Sequence, residues 1–415
     1  MRVTQIPFKT SKMVASELVS INAKLLTQAG FIHQELAGAY TMLPLGLRVL
    51  TKIENIIRAQ MDKVGVEINM TSLAPIANWQ QSGRFETVDV LMKTTPANKV
   101  SAQKNTTEYV LSPTHEDMIT PMIAEGNRSY KDLPISVYQI QTKFRNEPRA
   151  KSGLLRGREF RMKDLYSFHV SEADLMRFYE AMKPRYSAIY EKLGIGNDTY
   201  ITLASGGDFT TEYSHEFQTV LDSGEDTIYL DRENRIAYNK EVTSPEDAKK
   251  LGVDFSKLEI VRASEVGNIF PLMTKFSKAF NYTYADENGT QNPVFMGCYG
   301  IGSTRLMGVI VEKFADGKGM VWPKAIAPFA VELIDINAHE RGEEIYTKLQ
   351  DTGIEVLWDD RDERAGAKFA DADLIGIPVR LVVSAKTGDQ IEWKDRTSDQ
   401  TQLLELNTVL ERLKI

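Results

Sequence analysis

Between residues 144 and 160 the chain reads FRNEPRAKSGLLRGREF, a segment dense in arginine and glutamate. Arg145 and Glu147 stand two apart at the end of an alternating apolar run, a spacing that predicts both side chains on one face of a strand. Arg149, Arg156 and Arg158 then line a loop. A guanidinium fixed on rigid backbone grips a carboxylate or phosphate through two parallel hydrogen bonds. Fixed positive charge of this kind is what a reaction developing negative charge on phosphorus needs. Glu147 has the chemistry to accept from an amine or to hold Mg2+. The same run also fits a solvated, salt-bridged hairpin.

A second segment, MGCYGIGSTRLMGVIVE at 296–312, reads as strand, glycine-rich turn and helix. Bare backbone at such a turn lets an anion approach a helix N-terminus. It fits neither common nucleotide fingerprint: GxGxxG would need glycine where Arg305 stands, and GxxxxGK[ST] is absent from the chain. Arg305, one turn into the helix, suggests a side chain lying across a bound nucleotide; a tight turn packing helix on strand is the plainer alternative. In a third segment, LSPTHED at 111–117, Thr114 and Glu116 share one side of an extended stretch and would suit a ligand ammonium, although Thr114 as a helix N-cap fits equally well. One cysteine, Cys298, excludes an internal disulfide and any multi-cysteine zinc site, and the five histidines (33, 115, 169, 215, 339) never fall at metal-ligand spacing.

These segments need a scaffold. The chain has 415 residues, 50 Lys and Arg against 57 Asp and Glu, a formal charge of −7 and 42% hydrophobic residues, the profile of a soluble globular protein of two or three domains. No apolar run reaches the ~18 residues of a membrane helix, and MRVTQIPFKT lacks the apolar core of a signal peptide, so a cytoplasmic protein without a membrane partner is expected. Charge is uneven. Residues 140–165 hold eight basic and three acidic groups, and residues 326–415 hold 11 basic and 19 acidic, a pattern suggesting one localised anion site rather than a polyanion coating.

Residues 46–64 have the periodicity of an amphipathic helix, with Leu47, Leu50, Ile53, Ile57, Met61 and Val64 on one face and Arg48, Lys52 and Asp62 pointing away. Tyr109–Leu111, Val137–Phe144 and Phe160–His169 read as strands, the last two as an antiparallel hairpin. Helices are expected at 172–193 and Thr304–Phe314. Trp322-Pro323 and Ala327-Pro328 mark a linker. Beyond it, strands alternating with helices indicate a small α/β domain with a mostly parallel sheet. The boundary falls near 325.

Taken together and in order, the segments resemble the class II aminoacyl-tRNA synthetases. Motif 1 matches Leu-Pro-Leu-Gly at 43–46 with its helix (about 38–64). Motif 2 matches Phe144-Arg145-x-Glu147 with Arg-Glu-Phe at 158–160 (about 137–169), and motif 3 matches Gly300-x-Gly302-x-x-Arg305 (about 293–314). Within that class the words SPTHED, REFRMKDLYSFH, SHEF, EVGNIF, TKFS and MGCYGIG are similar to the prolyl enzymes of bacterial type. DDRDERAGAKFADADLIGIP (359–378) resembles the anticodon-binding domain of subclass IIa. The resemblance implies an α+β fold: an antiparallel-sheet catalytic domain (1–325) followed by a small α/β anticodon-binding domain (326–415).

It also implies roles. Arg145 would hold the ATP α-phosphate and the proline carboxylate, with Arg305 as its catalytic partner. Glu147 would bind on the adenine side and Arg156 would reach the outer phosphates. Phe160 and Arg305 would sandwich the adenine, and Glu265 and Ser303 would touch the nucleotide. Thr114 and Glu116 would receive the imino group of L-proline, and Met162, Asp164 and Phe270 would shape its ring pocket with Cys298 at the edge. Asp359, Arg361, Glu363 and Lys368 would meet the anticodon of tRNA(Pro), with Arg364 adding a backbone contact. ATP would bring Mg2+, no zinc is expected, and motif 1 implies a homodimer. A non-catalytic paralogue, or a subclass IIa enzyme for another amino acid such as threonine, is the alternative; the latter would need a cysteine and two histidines on zinc.

The chain departs from that family at two points. Only 47 residues (218–264) separate SHEF from EVGNIF, reading as a strand pair and a polar helix at Pro245–Leu251, too few for the editing insertion of well over a hundred residues in typical bacterial members. No hydrolysis of Ala-tRNA(Pro) in cis is therefore expected, and a separate trans-editing deacylase is a conceivable partner. Asn268 stands where the bacterial type usually has histidine, implying altered ATP contacts.

Overall fold

The computed structural model describes residues 1–11, 13, 18–148, 150 and 152–414; Arg149 and Lys151 of the basic loop lie outside the described residues. The first long amphipathic stretch folds as helix α1 (Pro44–Met61), with proline at its first position, where the fixed φ suits a helix start. Leu45, Val49, Leu50, Ile53, Ile57 and Met61 form its buried stripe. Leu47, expected on that stripe, is instead 54% exposed. Arg48 and Lys52, expected to point into solvent, donate to the carbonyls of Pro328 and Ala327 and both pair with Glu355, so this face of the helix is stitched to the C-terminal domain. Gly46 is not mere punctuation: a Cβ there would overlap the carbonyl oxygen of Phe31.

Strand β1 (Val66–Glu67) follows, then a small antiparallel sheet of β2 (Leu73–Pro75), β3 (Met92–Thr94) and β4 (Tyr109–Leu111), ordered β2-β4-β3. Helix α2 (Glu116–Ala124) leads to β5 (Ile135–Phe144) and β6 (Glu159–His169), the expected hairpin, in register from Ile135 opposite Phe168 to Phe144 opposite Glu159. Helix α3 (Glu172–Lys192) is followed by β7 (Thr199–Ala204), β8 (Ser214–Val220), β9 (Asp226–Asp231), β10 (Ile236–Asn239), the long β11 (Glu259–Met273), β12 (Phe295–Ile301) and helix α4 (Ser303–Phe314). These strands make one nine-stranded sheet, β8-β7-β10-β9-β11-β12-β6-β5-β1, antiparallel except at β1–β5 and β7–β10. Helices α1, α3 and α4 bury their apolar faces on one side of it, and α2 with residues from Phe276 to Tyr284 covers part of the other.

The structure corrects two expectations here. Strand β5 stops at Phe144, so Arg145 and Glu147 stand in the loop beyond it and not on one strand face. Residues 297–301 belong to strand β12, and Gly302 alone forms the N-cap of α4. The glycines of β12 serve close packing: a Cβ at Gly300 would lie 2.8 Å from the Asn268 side-chain oxygen. The basic stretch also divides, because Lys143 and Lys163 are fully buried while Arg156 and Arg158 remain in the loop.

In the C-terminal domain β13 (Val331–Ile336), helix α5 (His339–Asp351), β14 (Val356–Asp359), helix α6 (Ala365–Ile375), β15 (Val379–Ser384), β16 (Ile391–Asp395), β17 (Gln402–Leu404) and helix α7 (Leu406–Leu413) form a five-stranded sheet ordered β14-β13-β15-β16-β17. Only β14-β13-β15 is parallel; β16 and β17 add antiparallel strands, so the sheet is mixed where a mostly parallel one was expected. The first residues of the chain cross onto this domain, with Arg2 pairing Glu343 and Thr4 donating to Asp360.

Candidate active site

The start of β6, the middle of β11, the start of α4 and the loop after β5 line a cavity of about 230 Å3. Six of the residues expected around ATP line it: Arg145, Glu147, Arg156, Phe160, Glu265 and Arg305. Arg305 reaches across it, Nε donating to the Leu155 carbonyl at 2.8 Å and Nη1 to that of Glu265 at 2.6 Å. Arg156 pairs with Glu147 at 2.8 Å and with Glu225 at 3.3 Å. The Arg145 guanidinium lies 5.2 Å from the centre of the Phe160 ring and makes no ion pair with a described carboxylate. Burial and the nearby charge of Arg305 both lower its pKa, the electrostatic condition of a cation held where an anion would relieve it. Asn268 stands behind this wall and donates to Glu265 at 2.6 Å. Ser303 does not face the cavity. It is fully buried with its hydroxyl bonded to Glu54 of α1, because as the first residue of α4 it turns toward the helix core.

The expected proline residues gather next to this cavity, with Met162 in its wall. Glu116 is not on an extended segment. It opens α2, its N-cap is His115 rather than Thr114, and its carboxylate is fully buried. Thr114 donates to it at 2.5 Å and the Cys298 thiol at 3.1 Å. Cross-strand register sets Phe270 of β11 beside Cys298 of β12, and Cys298 beside Tyr166 of β6. Phe270 stacks on Phe209, ring centres 4.7 Å apart.

Several residues absent from the sequence reading complete this pocket. Arg84 pairs with Glu116 at 3.3 Å and Asp117 at 2.6 Å. Asp164 is held by buried Lys143 and by Gln139, and Lys143 also meets His115 Nδ1 at 2.7 Å. Burial, then the Lys143 charge, lowers the His115 pKa to about 4, so its imidazole is neutral at pH 7. Lys143 shares its face of β5 with Gln139 and Gln141, a polar face that alternation alone would send to solvent, yet all three are buried. Arg84 carries no local signal either.

Residues 98–314 match the family model described as tRNA synthetase class II core domain (G, H, P, S and T), and residues 325–414 match the anticodon binding domain. The proline–tRNA ligase of Rickettsia bellii (strain OSU 85-389) is 38% identical over 413 residues, 94% of each chain. That of Rickettsia rickettsii (strain Sheila Smith) is 37% identical over 419 residues, 96% of each. The chain belongs to the proline–tRNA ligase family. Its two-domain α+β architecture is that of a class II catalytic core followed by an anticodon-binding domain.

In the anticodon-binding domain of this family member the expected contact residues divide. Asp359 is fully buried and chelated by Arg361 at 2.6 and 2.8 Å, and Arg361 also pairs with Asp371 at 2.9 Å. Lys368 is buried, donating to the carbonyls of Asp335 and Asp359. Both are consumed inside the domain, the Asp359 carboxylate by Arg361 and the Lys368 amine by carbonyls near the ends of β13 and β14. Glu363 and Arg364 are exposed. Among the described residues no group of three or more His, Cys, Asp or Glu could hold a metal ion, and no helix is long and apolar enough to cross a membrane.

Proposed function

We propose that this chain activates L-proline with ATP and transfers the prolyl group to the 3′ end of tRNA(Pro). The observation that carries the reading is Arg145, which forms no ion pair among the described residues and stands between the cavity and the buried Thr114–Glu116–Cys298 cluster. The proline carboxylate attacks the α-phosphorus in line, and pyrophosphate leaves. Arg145 binds the carboxylate and α-phosphate and neutralises the charge that develops there. Phe160 and Arg305 hold the adenine, Glu147 and Glu265 contact the nucleotide, and Arg156 takes the outer phosphates. Thr114 and Glu116 accept the imino N–H groups, and Phe270, Met162, Asp164 and Cys298 bound the ring. No protein nucleophile is required, because positioning and fixed charge supply the acceleration. Mg2+ arrives with ATP and adds charge neutralisation; the oxygen donors Glu265 and Asp226 in the cavity wall suit a hard cation.

The enzyme so read is a cytoplasmic homodimer without structural zinc. Strand β1 at the free edge of the large sheet, with Val66 69% exposed, supports a self-complementary contact. Glu363, Arg361 and Arg364 are the anticodon contacts. With 47 residues between SHEF and EVGNIF, correction of Ala-tRNA(Pro) falls to a separate deacylase. The test is amino-acid-dependent ATP–pyrophosphate exchange with proline, alanine, threonine, cysteine, histidine and glycine in parallel. Exchange with proline far above the others is expected; exchange led by another amino acid overturns the specificity, and none at all in folded protein overturns catalysis.

A further inference from the structure

We propose that Arg84 is a positioning residue for amino-acid recognition: it holds the Glu116 carboxylate in the orientation that receives the proline imino group and ties that carboxylate to the aromatic wall of the ring pocket. This rests on the assignment of Glu116 as the imino acceptor. Arg84 lies three residues after α-helical Gln81, outside the three class motifs, and is 4% exposed. Its guanidinium carbon lies 5.1 Å from the Trp79 ring, 5.1 Å from Phe209 and 5.2 Å from Phe276, so an aromatic box fixes it on three sides. One nitrogen, Nη1, then meets both Glu116 Oε2 and Asp117 Oδ2.

The consequence for Glu116 is geometric. With Oε2 accepting from Arg84 and Thr114 and Oε1 from Cys298, three of the carboxylate's roughly four acceptor positions are taken and its orientation is fixed, leaving one acceptor position for a ligand N–H. Phe209, stacked on Phe270, touches the same guanidinium, so one cation organises both the polar and the apolar contacts of the ring. The charge logic agrees. Glu116 and Asp117 are adjacent carboxylates buried together, which water-free surroundings would force to share a proton. Burial does push Asp117 up, to about 6, against the pull of Arg84. Arg84 opposes that rise at Asp117. The other charged or titratable groups that sense Glu116 or Asp117 are His115, Lys143, Arg145, Tyr166, Lys275 and Cys298. None of them forms an ion pair with either carboxylate among the described residues.

The experiment is ATP–pyrophosphate exchange by the full chain, with proline and ATP titrated separately from pH 6 to 9, for wild type, Arg84→Met, Arg84→Gln, Arg84→Lys and Glu116→Gln. Arg84→Met should raise KM for proline tenfold or more, leave KM for ATP within twofold, and give kcat/KM for proline a new inflection above pH 6 as the freed carboxylate pair takes up a proton. Arg84→Lys should restore most of the proline KM and remove the inflection. Arg84→Gln, which retains donors without charge, should keep the inflection, and serves if the methionine variant does not fold. A proline KM within twofold of wild type in both uncharged variants overturns the proposal, as does an equal rise in both KM values without an inflection. If Glu116→Gln leaves the proline KM unchanged, the imino-acceptor assignment itself falls; if it raises KM while the Arg84 variants do not, only the role of Arg84 falls.

Discussion

Glu332 sits in the middle of β13, 2% exposed, in the wall of a cavity of about 200 Å3 between the chain's first residues and α6. Its carboxyl makes no hydrogen bond or ion pair with a described residue. Burial first, then the nearby Asp359, raises its pKa from 4.5 to about 8, against the partial relief of Arg380 and Arg361. The folded state therefore holds this proton where the unfolded chain has lost it. Stability is greatest below the unfolded value and falls as pH rises through the folded one. With one pH unit worth 1.36 kcal/mol, the linkage removes about 2–3 kcal/mol between pH 6 and pH 9. Glu332→Gln keeps the shape and removes the titration. Urea unfolding followed by the fluorescence of Trp358 and Trp393, both buried in the same domain, should show the variant gaining on wild type by that amount across the interval. Parallel pH dependences for the two proteins would refute the reasoning.

Arg145→Ala or Arg305→Ala should lower proline-dependent exchange by about 10²–10³-fold, the ~2.7–4 kcal/mol of a preorganised charge-stabilising contact; turnover near wild type would remove either residue from the site. Gly46→Ala offers ~1 kcal/mol of helix propensity, yet its Cβ would overlap the Phe31 carbonyl, and forced overpacking costs ~1–3 kcal/mol. Thermal melts should show net destabilisation, and a raised melting temperature would contradict the packing. Purified protein should leave Ala-tRNA(Pro) intact over hours, with release of alanine above the spontaneous rate as the opposing result.

Local patterning carried much of this fold. Period-two alternation located β5, and the 3.6-residue stripe located α1, which buries one face against a continuous core. Failures cluster where tertiary partners decide. Arg48 and Lys52 look like solvent-facing charges until the C-terminal domain supplies Glu355. Gly297 and Gly300 look like a turn until Tyr299, Leu175 and Asn268 are seen to crowd them within a strand. In the site, the resemblance to a known family pointed to Arg145, Glu147, Arg156, Phe160, Glu265 and Arg305, which the fold gathers round one cavity. Ser303, Asp359 and Lys368 are polar residues whose partners are internal, and sequence carries no mark of that. Arg84 was invisible for the converse reason: its aromatic box is assembled from residues 79, 209 and 276, three separate stretches of the chain.

The most direct test of the proposed site is a crystal structure of the protein with a non-hydrolysable prolyl-adenylate analogue. The adenine should lie between Phe160 and Arg305, the phosphate mimic on Arg145, and the ring nitrogen within hydrogen-bond reach of both Thr114 and Glu116. An analogue bound with its ring nitrogen away from Glu116, or its adenine outside the cavity lined by Phe160 and Arg305, would contradict the site assignment.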